Sequence, residues 1–201
     1  MLSIVWMNFF NYCIVYTLAA WDSRDAEIPF IKSFFGGIYT DANAYWFNDI
    51  GVLIVSTMMF NAFYPAIEFF GYYFAFRWPY RAIDQRTCCP RRERDTSSKT
   101  LQEFDSIYSG PVLDITYKYA YIINVSCVTF LFGPAMPVLF PIAVLSLMVL
   151  FTTERLAMAY SYQKPPNYDA TLNRTALEIL YRTPLLYMFS AAWLYSNQQV
   201  F

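Results

Sequence analysis

The chain has 201 residues, of which 57% are hydrophobic, 21% aromatic and only 14% charged. A soluble domain of this size could not bury so much apolar surface, because a single core covers only about 70% of what the unfolded chain exposes. The composition therefore excludes a water-soluble monomer and a disordered chain, and it predicts an all-α multipass protein in contact with the lipid bilayer. The net charge of −1 argues against nucleic acid as a partner.

Two uncharged runs predict the first two membrane spans. A helix needs about 20 apolar residues to cross roughly 30 Å of hydrocarbon. Residues 1–21 carry no charge, and neither do residues 50–67, after which the apolar pattern resumes beyond Glu68 and continues to residue 76. Residues 1–76 are therefore predicted to form two transmembrane helices joined by an outer loop at 22–49.

A third uncharged run, residues 119–153, is 35 residues long and exceeds one crossing. Proline removes a backbone donor and clashes with the preceding turn. Gly133, Pro134 and Pro137 therefore predict a tight turn between paired helices at 115–132 and 137–160, within a transmembrane segment at 115–162. One long kinked helix is the alternative.

The segment at 163–201 is predicted to begin with an amphipathic helix lying along the membrane interface or packing on the bundle. Its apolar positions fall on one helical face: Leu172, Ala176, Ile179 and Leu180. The following apolar stretch, 184–195, is short for a span. It is interpreted as a partial fifth span, a re-entrant piece or the start of a longer helix, so four to five spans are expected.

The distribution of basic residues predicts the orientation of the chain. Residues 77–118 contain eight Lys and Arg side chains, whereas the outer loop contains two and the proline turn none. Loops that stay in the cytoplasm are enriched in these residues. Residues 77–114 are therefore predicted to be a basic cytoplasmic segment. Trp46 and Trp78 bracket the second span in the manner of interfacial aromatic residues. The organelle is not indicated.

Polar residues in the second span are the candidate permeation site. Thr57, Asn61 and Glu68 share one helical face, and Pro65 is predicted to kink the helix there. A carboxylate in hydrocarbon usually faces a bundle interior or a water-filled path. Three explanations remain open: a lining for permeating cations, a buried structural pair, and a glutamate that reaches the inner interface.

Catalysis, metal binding and cofactor binding have little support in the sequence. The chain has no histidine, and it lacks the phosphate-binding, dinucleotide-binding and nucleophile motifs of enzymes. We therefore expect no enzyme activity, no metal site and no cofactor. Cys88 and Cys89 lie side by side among arginines next to the membrane, which favours S-palmitoylation, with unmodified thiols as the alternative.

The paired helices resemble a signature of the superfamily that contains OSCA-type osmosensitive channels, anoctamins and transmembrane channel-like proteins. The resemblance rests on Y-K-Y-A-Y at 117–121, on T-F-L-F-G-P-A-M-P-V-L-F-P at 129–141, and on Glu154-Arg155 at the end of the following helix. The segment W-F-N-D-I-G at 46–51, followed by Thr57, Asn61 and Pro65, looks like the preceding pore-region helix. Together these motifs cover roughly residues 45–165.

The resemblance implies an integral membrane permeation protein, with an osmosensitive or mechanosensitive cation channel as the leading interpretation. A lipid scramblase of the same superfamily is the nearest alternative, and a non-catalytic structural subunit of a larger membrane complex is another. Members of this superfamily have more membrane spans than the four to five expected for this chain, and they are often dimeric. The chain is thus expected to be a fragment or a reduced member that pairs as a homodimer or with the remaining helices of a longer chain. The carboxylate cluster of the anoctamin calcium site is not reproduced.

Overall fold

The structure is a computed structural model that describes residues 2–15, 17–18, 22, 37–39, 44–86, 96–163 and 170–195. Contacts divide the chain into two compact units. Unit 1 comprises Met1–Phe60, Ile115–Ser146 and Asp169–Phe201, and unit 2 comprises Asn61–Asp114 and Leu147–Tyr168. Within the described residues the regular structure is helical, which confirms the predicted all-α class, apart from one bridge between Asp22 and Tyr39.

The helices follow one another in chain order, with short π-helical segments continuing three of them. The α-helices are α1 Leu2–Phe9, α2 Ala44–Trp46, α3 Val52–Tyr72, α4 Trp78–Asp84, α5 Leu101–Tyr108, α6 Ile115–Phe132, α7 Leu139–Tyr160 and α8 Thr171–Tyr195. The π-helical segments are π1 Phe10–Val15, π2 Phe47–Gly51 and π3 Tyr73–Arg77. Elements α2 through α4 form one uninterrupted helix from Ala44 to Asp84.

Three helices in the described part of the chain are long and apolar enough to cross a membrane: Ala44–Asp84, Ile115–Phe132 and Leu139–Tyr160. The helix Ala44–Asp84 has 41 residues, about twice the number that one crossing needs. The apolar helix Leu2–Val15 is shorter than a span, and the remainder of the predicted first span lies largely outside the described residues. These helices suggest a membrane protein, and the predicted total of four to five spans stays a prediction.

The surface of α7 has the character expected of a helix in lipid. Large apolar side chains are exposed along it: Val144, Leu145, Leu147, Met148, Phe151, Leu156 and Met158. The buried side of α7 combines the small or weakly polar side chains of Ala143, Ser146, Thr153 and Ala157 with the aliphatic side chains of Leu139, Ile142 and Leu150. Small residues let helix backbones approach closely in membranes, where lipid tails solvate the large apolar ones.

The predicted break between the paired helices is confirmed. Helix α6 ends at Phe132, and α7 begins at Leu139, two residues later than expected. In the turn, the amide of Gly133 donates to the carbonyl of Thr129 at 2.8 Å and the amide of Met136 donates to that of Phe132 at 2.9 Å. These bonds occupy carbonyl groups at the end of α6 that would otherwise lack a helical partner.

Helix α6 is the centre of unit 1. One side of it packs with α1 and α8 in a cluster that contains Val5, Ala120, Ile123, Cys127 and Ala176. Its other side contributes to a larger cluster with π1, the start of α3 and the start of α7. That cluster contains Cys13, Trp46, Ile54, Met58, Val125, Val128, Phe132, Leu139, Ile142 and Ala143. Trp46, which the sequence analysis placed at the membrane interface, is therefore buried in the core of unit 1.

The segment at 163–201 is organised differently from the prediction. An amphipathic helix and a separate apolar stretch were predicted, but the structure forms one 25-residue helix with Pro184 inside it. The hydroxyl of Ser190 donates to the carbonyl of Phe130 at 3.4 Å, and the hydroxyl of Tyr195 donates to that of Pro134 at 3.2 Å. Because Ala176 packs near the start of α6 and Ser190 near its end, the two helices run in the same direction.

Unit 2 contains a short helix, α5, whose first turn is capped by side-chain hydrogen bonds. The side chain of Thr100 accepts from the amide of Glu103 at 3.3 Å, and the carboxylate of Glu103 accepts from the amide of Lys99 at 3.4 Å. The bond from Glu103 satisfies one of the free amides of the first helical turn, and the bond from Lys99 fixes the residue before the cap. The same unit contains the end of α3, π3, α4 and the last turns of α7.

Candidate functional site

The predicted polar stripe lies on an unbroken part of α3. Thr57, Asn61 and Glu68 all fall within Val52–Tyr72, so helical geometry places them on one face. Four other residues form the buried stripe of this helix: Ile54, Met58, Ala62 and Pro65. At 100° per residue, the centres of the two stripes are about 75° apart. The polar residues thus follow the rim of the buried stripe.

Exposure changes along the polar stripe. Thr57 is half-buried, and its hydroxyl donates to the carbonyl of Leu53 at 2.8 Å. Asn61 is also half-buried, whereas Glu68 is exposed. Large exposed apolar side chains occupy neighbouring positions of the helix: Phe60, Phe63, Ile67 and Phe70. Glu68 is consequently a carboxylate on a helix surface that is otherwise largely apolar.

The predicted kink and turn residues have different surroundings. Pro65 is buried inside α3, and the helix continues through it to Tyr72. Gly133 and Pro134 are buried in the turn, whereas Pro137 is exposed. A Cβ atom on Gly133 would lie 2.5 Å from the carbonyl oxygen of Thr129 and 2.7 Å from the ring of Phe140, so the turn has no space for a side chain there. Cys88 and Cys89, the lipidation candidates, lie outside the described residues.

Sequence reasoning missed a polar cluster, here called the Asp84 cluster, that joins the end of α4 to the end of α5. The hydroxyl of Tyr108 donates to the carboxylate of Asp84 at 2.9 Å, and the side-chain amide of Gln85 donates to the same hydroxyl at 3.0 Å. Arg81 donates to the backbone carbonyl of Tyr108 at 3.2 Å, and its guanidinium lies 5.0 Å from the centre of the tyrosine ring. No sequence spacing indicated this cluster, because its halves are 24 residues apart.

The stretch before α5 completes the Asp84 cluster. The amide of Ser97 and the hydroxyl of Ser98 donate to one carboxylate oxygen of Asp84, at 3.1 and 3.2 Å. A hydrogen bond with Thr96, together with those from Tyr108, Ser97 and Ser98, holds the pKa of the Asp84 carboxyl below its usual value. Asp84 ends the helix inside the segment predicted to be cytoplasmic, where a charged carboxylate is favoured.

Burial raises the pKa of the Tyr108 hydroxyl above its usual value, and the hydrogen bond to the negatively charged Asp84 raises it further. The bond from Gln85 acts in the opposite direction, because it favours the phenolate. Tyr108 is buried at 8% exposure and stacks on Phe104, with ring centres 4.6 Å apart. The cluster therefore holds a neutral tyrosine against a charged carboxylate.

A second contact in unit 2 joins the turn after α5 to the end of α7. Arg77 donates to the carbonyl of Tyr160, the last residue of α7, where a cation also complements the helix dipole. A Cβ atom on Gly110 would lie only 1.6 Å from the carbonyl oxygen of Ser161, so the two backbones meet without room for a side chain. An open cleft of about 550 Å³ lies beside this contact, lined by both polypeptide segments.

Metal chemistry has no support among the described residues, since no group of three His, Cys, Asp or Glu side chains there is arranged to hold an ion. The polar groups form a stripe on α3 and hydrogen-bonded contacts at the ends of α4, α5 and α7. They can bind or guide small polar species and can tie helix ends together. The expectation of no enzyme activity stays a prediction.

No family model, curated protein or solved structure matches this chain. The resemblance to the OSCA-type, anoctamin and transmembrane channel-like superfamily therefore rests on the quoted motifs. What it implies about function stays a prediction.

Proposed function

We propose that the chain is a multipass membrane protein that forms part of a cation-permeation path, with Thr57, Asn61 and Glu68 lining it. The observation that carries this proposal is the position of Glu68, exposed on the polar stripe of a helix whose other exposed side chains are largely apolar. Charged side chains within membrane spans almost always face other protein or a water-filled path. A water-filled path beside Glu68 would supply such surroundings and would attract cations to the carboxylate.

The dimensions of the stripe fit a hydrated path. From Thr57 to Glu68 the helix rises about 16 Å, roughly half the thickness of the hydrocarbon. A hydroxyl and an amide would replace part of the hydration shell of an ion, and the carboxylate would concentrate cations. Since the stripe follows the rim of a buried surface, additional helices are needed to enclose a pore. They would come from a second copy or from the rest of a longer chain.

We further propose that osmotic or mechanical tension gates this path, on the basis of the family resemblance. The Asp84 cluster and the Arg77–Tyr160 contact suit such a role, because they tie helix ends to the predicted cytoplasmic segment. Membrane tension that changes the tilt of the helices would strain the Asp84 cluster and the Arg77–Tyr160 contact first. A lipid scramblase is the second candidate, favoured by a polar stripe that the described residues leave partly exposed.

The deciding experiment replaces Glu68 with Gln, which keeps size and hydrogen bonding but removes the charge. In planar bilayers or patched membranes, Glu68→Gln is expected to lower the cation conductance and to shift the reversal potential toward the equilibrium potential of the anion. Glu68→Asp keeps the charge and should retain selectivity. Asp105→Asn removes an exposed carboxylate on α5, outside the stripe, and serves as the matched control.

The outcomes separate the candidate functions. Unchanged conductance and selectivity in Glu68→Gln would overturn the lining role of the stripe. Transfer of labelled lipid between leaflets that depends on Glu68, without ion current, would favour the scramblase. Neither activity in well-expressed protein would leave a structural subunit as the better interpretation.

A further inference from the structure

The stretch before α5 combines an exposed hydroxyl group with a distinctive local sequence. Ser97 is exposed and lies outside helices and strands, shortly before the residue that caps α5. Arginines stand five and three residues before it, at Arg92 and Arg94, so residues 92–97 read R-E-R-D-T-S. No other Ser or Thr in the sequence has an arginine three residues before it.

Positive charges at fixed distances before a hydroxyl are the feature by which arginine-directed protein kinases select their substrates. Acidic side chains of such a kinase bind the guanidinium groups through charge-assisted hydrogen bonds, which can be bidentate. The acceptor must also be accessible, as exposed segments outside helices and strands are. Ser97 has both the preceding charges and the exposure. Residues 77–114 are predicted to be cytoplasmic, where nucleoside triphosphates are present.

The backbone of Ser97 is part of the Asp84 cluster. Its amide donates to a carboxylate oxygen of Asp84 at 3.1 Å, and the hydroxyl of Ser98 donates to the same oxygen at 3.2 Å. Because only three covalent bonds separate the amide nitrogen of a serine from its Oγ atom, a phosphate on Ser97 would lie within roughly 8 Å of that carboxylate. This distance is about one Debye length at physiological salt, so repulsion between the two groups would be only partly screened.

We propose that Ser97 accepts a phosphoryl group from an arginine-directed protein kinase, and that this modification releases residues 96–98 from Asp84. In the transfer, the Oγ atom of Ser97 forms a bond to the γ-phosphorus of a nucleoside triphosphate. The bond from that phosphorus to the bridging oxygen breaks, the nucleoside diphosphate leaves, and the hydroxyl proton passes to a base of the kinase. The phosphoserine carries a charge of about −1.5 to −2 at pH 7.

Release follows from the charges that the phosphate would face. Asp84 is negative, and the carboxylate of Glu103 lies near the same stretch, where it accepts from a backbone amide. Arg81 is engaged with the backbone carbonyl and the ring of Tyr108. Lys99 belongs to the released stretch itself and moves with it. Repulsion between like charges therefore exceeds attraction and weakens the hydrogen bonds from this stretch to Asp84.

Phosphorylation of the purified full-length chain tests the site without any measurement of ion current. The protein, in detergent or lipid nanodiscs, is incubated with the catalytic domain of an arginine-directed kinase and Mg²⁺-ATP. Mass spectrometry then identifies the modified residue, and one phosphate on Ser97 is expected. Ser97→Ala should abolish the modification, whereas Ser98→Ala, the matched control at the neighbouring hydroxyl, should retain it.

Arginine variants test how the site is selected. Arg92→Gln and Arg94→Gln should each lower kcat/KM for phosphorylation about tenfold or more, because each removes a charge-assisted contact with the kinase. Arg86→Gln changes a basic residue of the same segment that lies farther from Ser97, and this matched control should leave the rate unchanged. Equal rates in the three variants would overturn selection by the two arginines.

Hydrogen exchange tests the release from Asp84. The amide of Ser97 should exchange about tenfold faster after phosphorylation, because its acceptor is repelled by the phosphate. Asp84→Asn keeps an acceptor oxygen but removes the charge, so phosphorylation should accelerate exchange much less in this variant. Unchanged or slower exchange in the phosphorylated protein would overturn the release and would show that the phosphate leaves the cluster closed.

The absence of phosphate at Ser97 in the folded chain would overturn the proposed site, and so would phosphate on Thr96 or Ser98 in its place. These outcomes are independent of the permeation role, since neither depends on ion current. Phosphorylation of Ser97 in a protein that conducts no ions would retain this inference and count against the permeation role alone.

Discussion

The hydroxyl groups of Tyr121 and Ser146 lie 2.7 Å apart and join α6 to α7 across 25 residues of sequence. Ser146 is fully buried, and Tyr121 is half-buried. The pair lies at the contact between the two helices of the hairpin, where an unpaired hydroxyl would be unfavourable. This bond sets which residues of the two helices face each other.

Removing one partner of this pair should destabilise unit 1. Tyr121→Phe is expected to lower the free energy of unfolding by about 0.5–1.5 kcal/mol. Adding Ser146→Ala should recover part of that loss, because the buried hydroxyl no longer lacks its partner. A double-mutant cycle of unfolding in detergent measures the coupling, with Thr152→Ala on the exposed side of α7 as the control. A coupling of zero would contradict the interpretation.

The contact between Gly110 and Ser161 predicts a large difference between two glycine substitutions. Gly110→Ala brings a Cβ atom against the carbonyl of Ser161, so the backbones must separate and the free energy of unfolding should fall by about 2 kcal/mol or more. Gly71→Ala is the matched control, because nothing lies within 4 Å of its Cβ and alanine is the better helix former. That variant should be neutral or stabilised by up to about 1 kcal/mol. Equal thermal stabilities of the two variants would argue against the close approach.

The raised pKa of Tyr108 predicts a dependence of stability on alkaline pH. Its contribution is fully present below the ordinary tyrosine pKa of about 10 and is lost as the pH rises through the higher value of the folded state. Asp84→Asn removes the neighbouring negative charge and should bring the titration of Tyr108 to lower pH. The measurement is absorbance near 295 nm against pH, corrected by subtracting the Tyr108→Phe protein. A titration of Tyr108 that Asp84→Asn leaves unchanged would refute the electrostatic contribution.

The basic segment predicts the sidedness of two exposed residues. Ser97→Cys should react with a membrane-impermeant thiol reagent only after the cells are opened, because residues 77–118 are predicted to be cytoplasmic. Ile38→Cys, at 83% exposure in the predicted outer loop, should react in intact cells. The comparison uses a background in which Cys88 and Cys89 are Ser. Labelling of Ser97→Cys from outside would reverse or refute the topology.

Several features could be predicted from the sequence because they depend on local chemistry. Uncharged runs indicated where long apolar helices lie, since hydropathy acts residue by residue. Gly133 and Pro134 indicated the break between α6 and α7, since proline cannot continue the helical hydrogen bonds. The shared face of Thr57, Asn61 and Glu68 followed from helical periodicity alone.

Only the tertiary structure decided the burial of Trp46, the continuity of α8 through Pro184 and the pairing of Asp84 with Tyr108. Each depends on contacts between residues far apart in sequence. A tryptophan next to an apolar run suits a membrane interface as well as a core, and its neighbours determine which environment it has. Likewise, the charged first half of α8 resembles an interfacial helix until its packing along α6 is known. Local patterns specify helices, whereas the close packing of side chains from distant segments specifies which faces are covered.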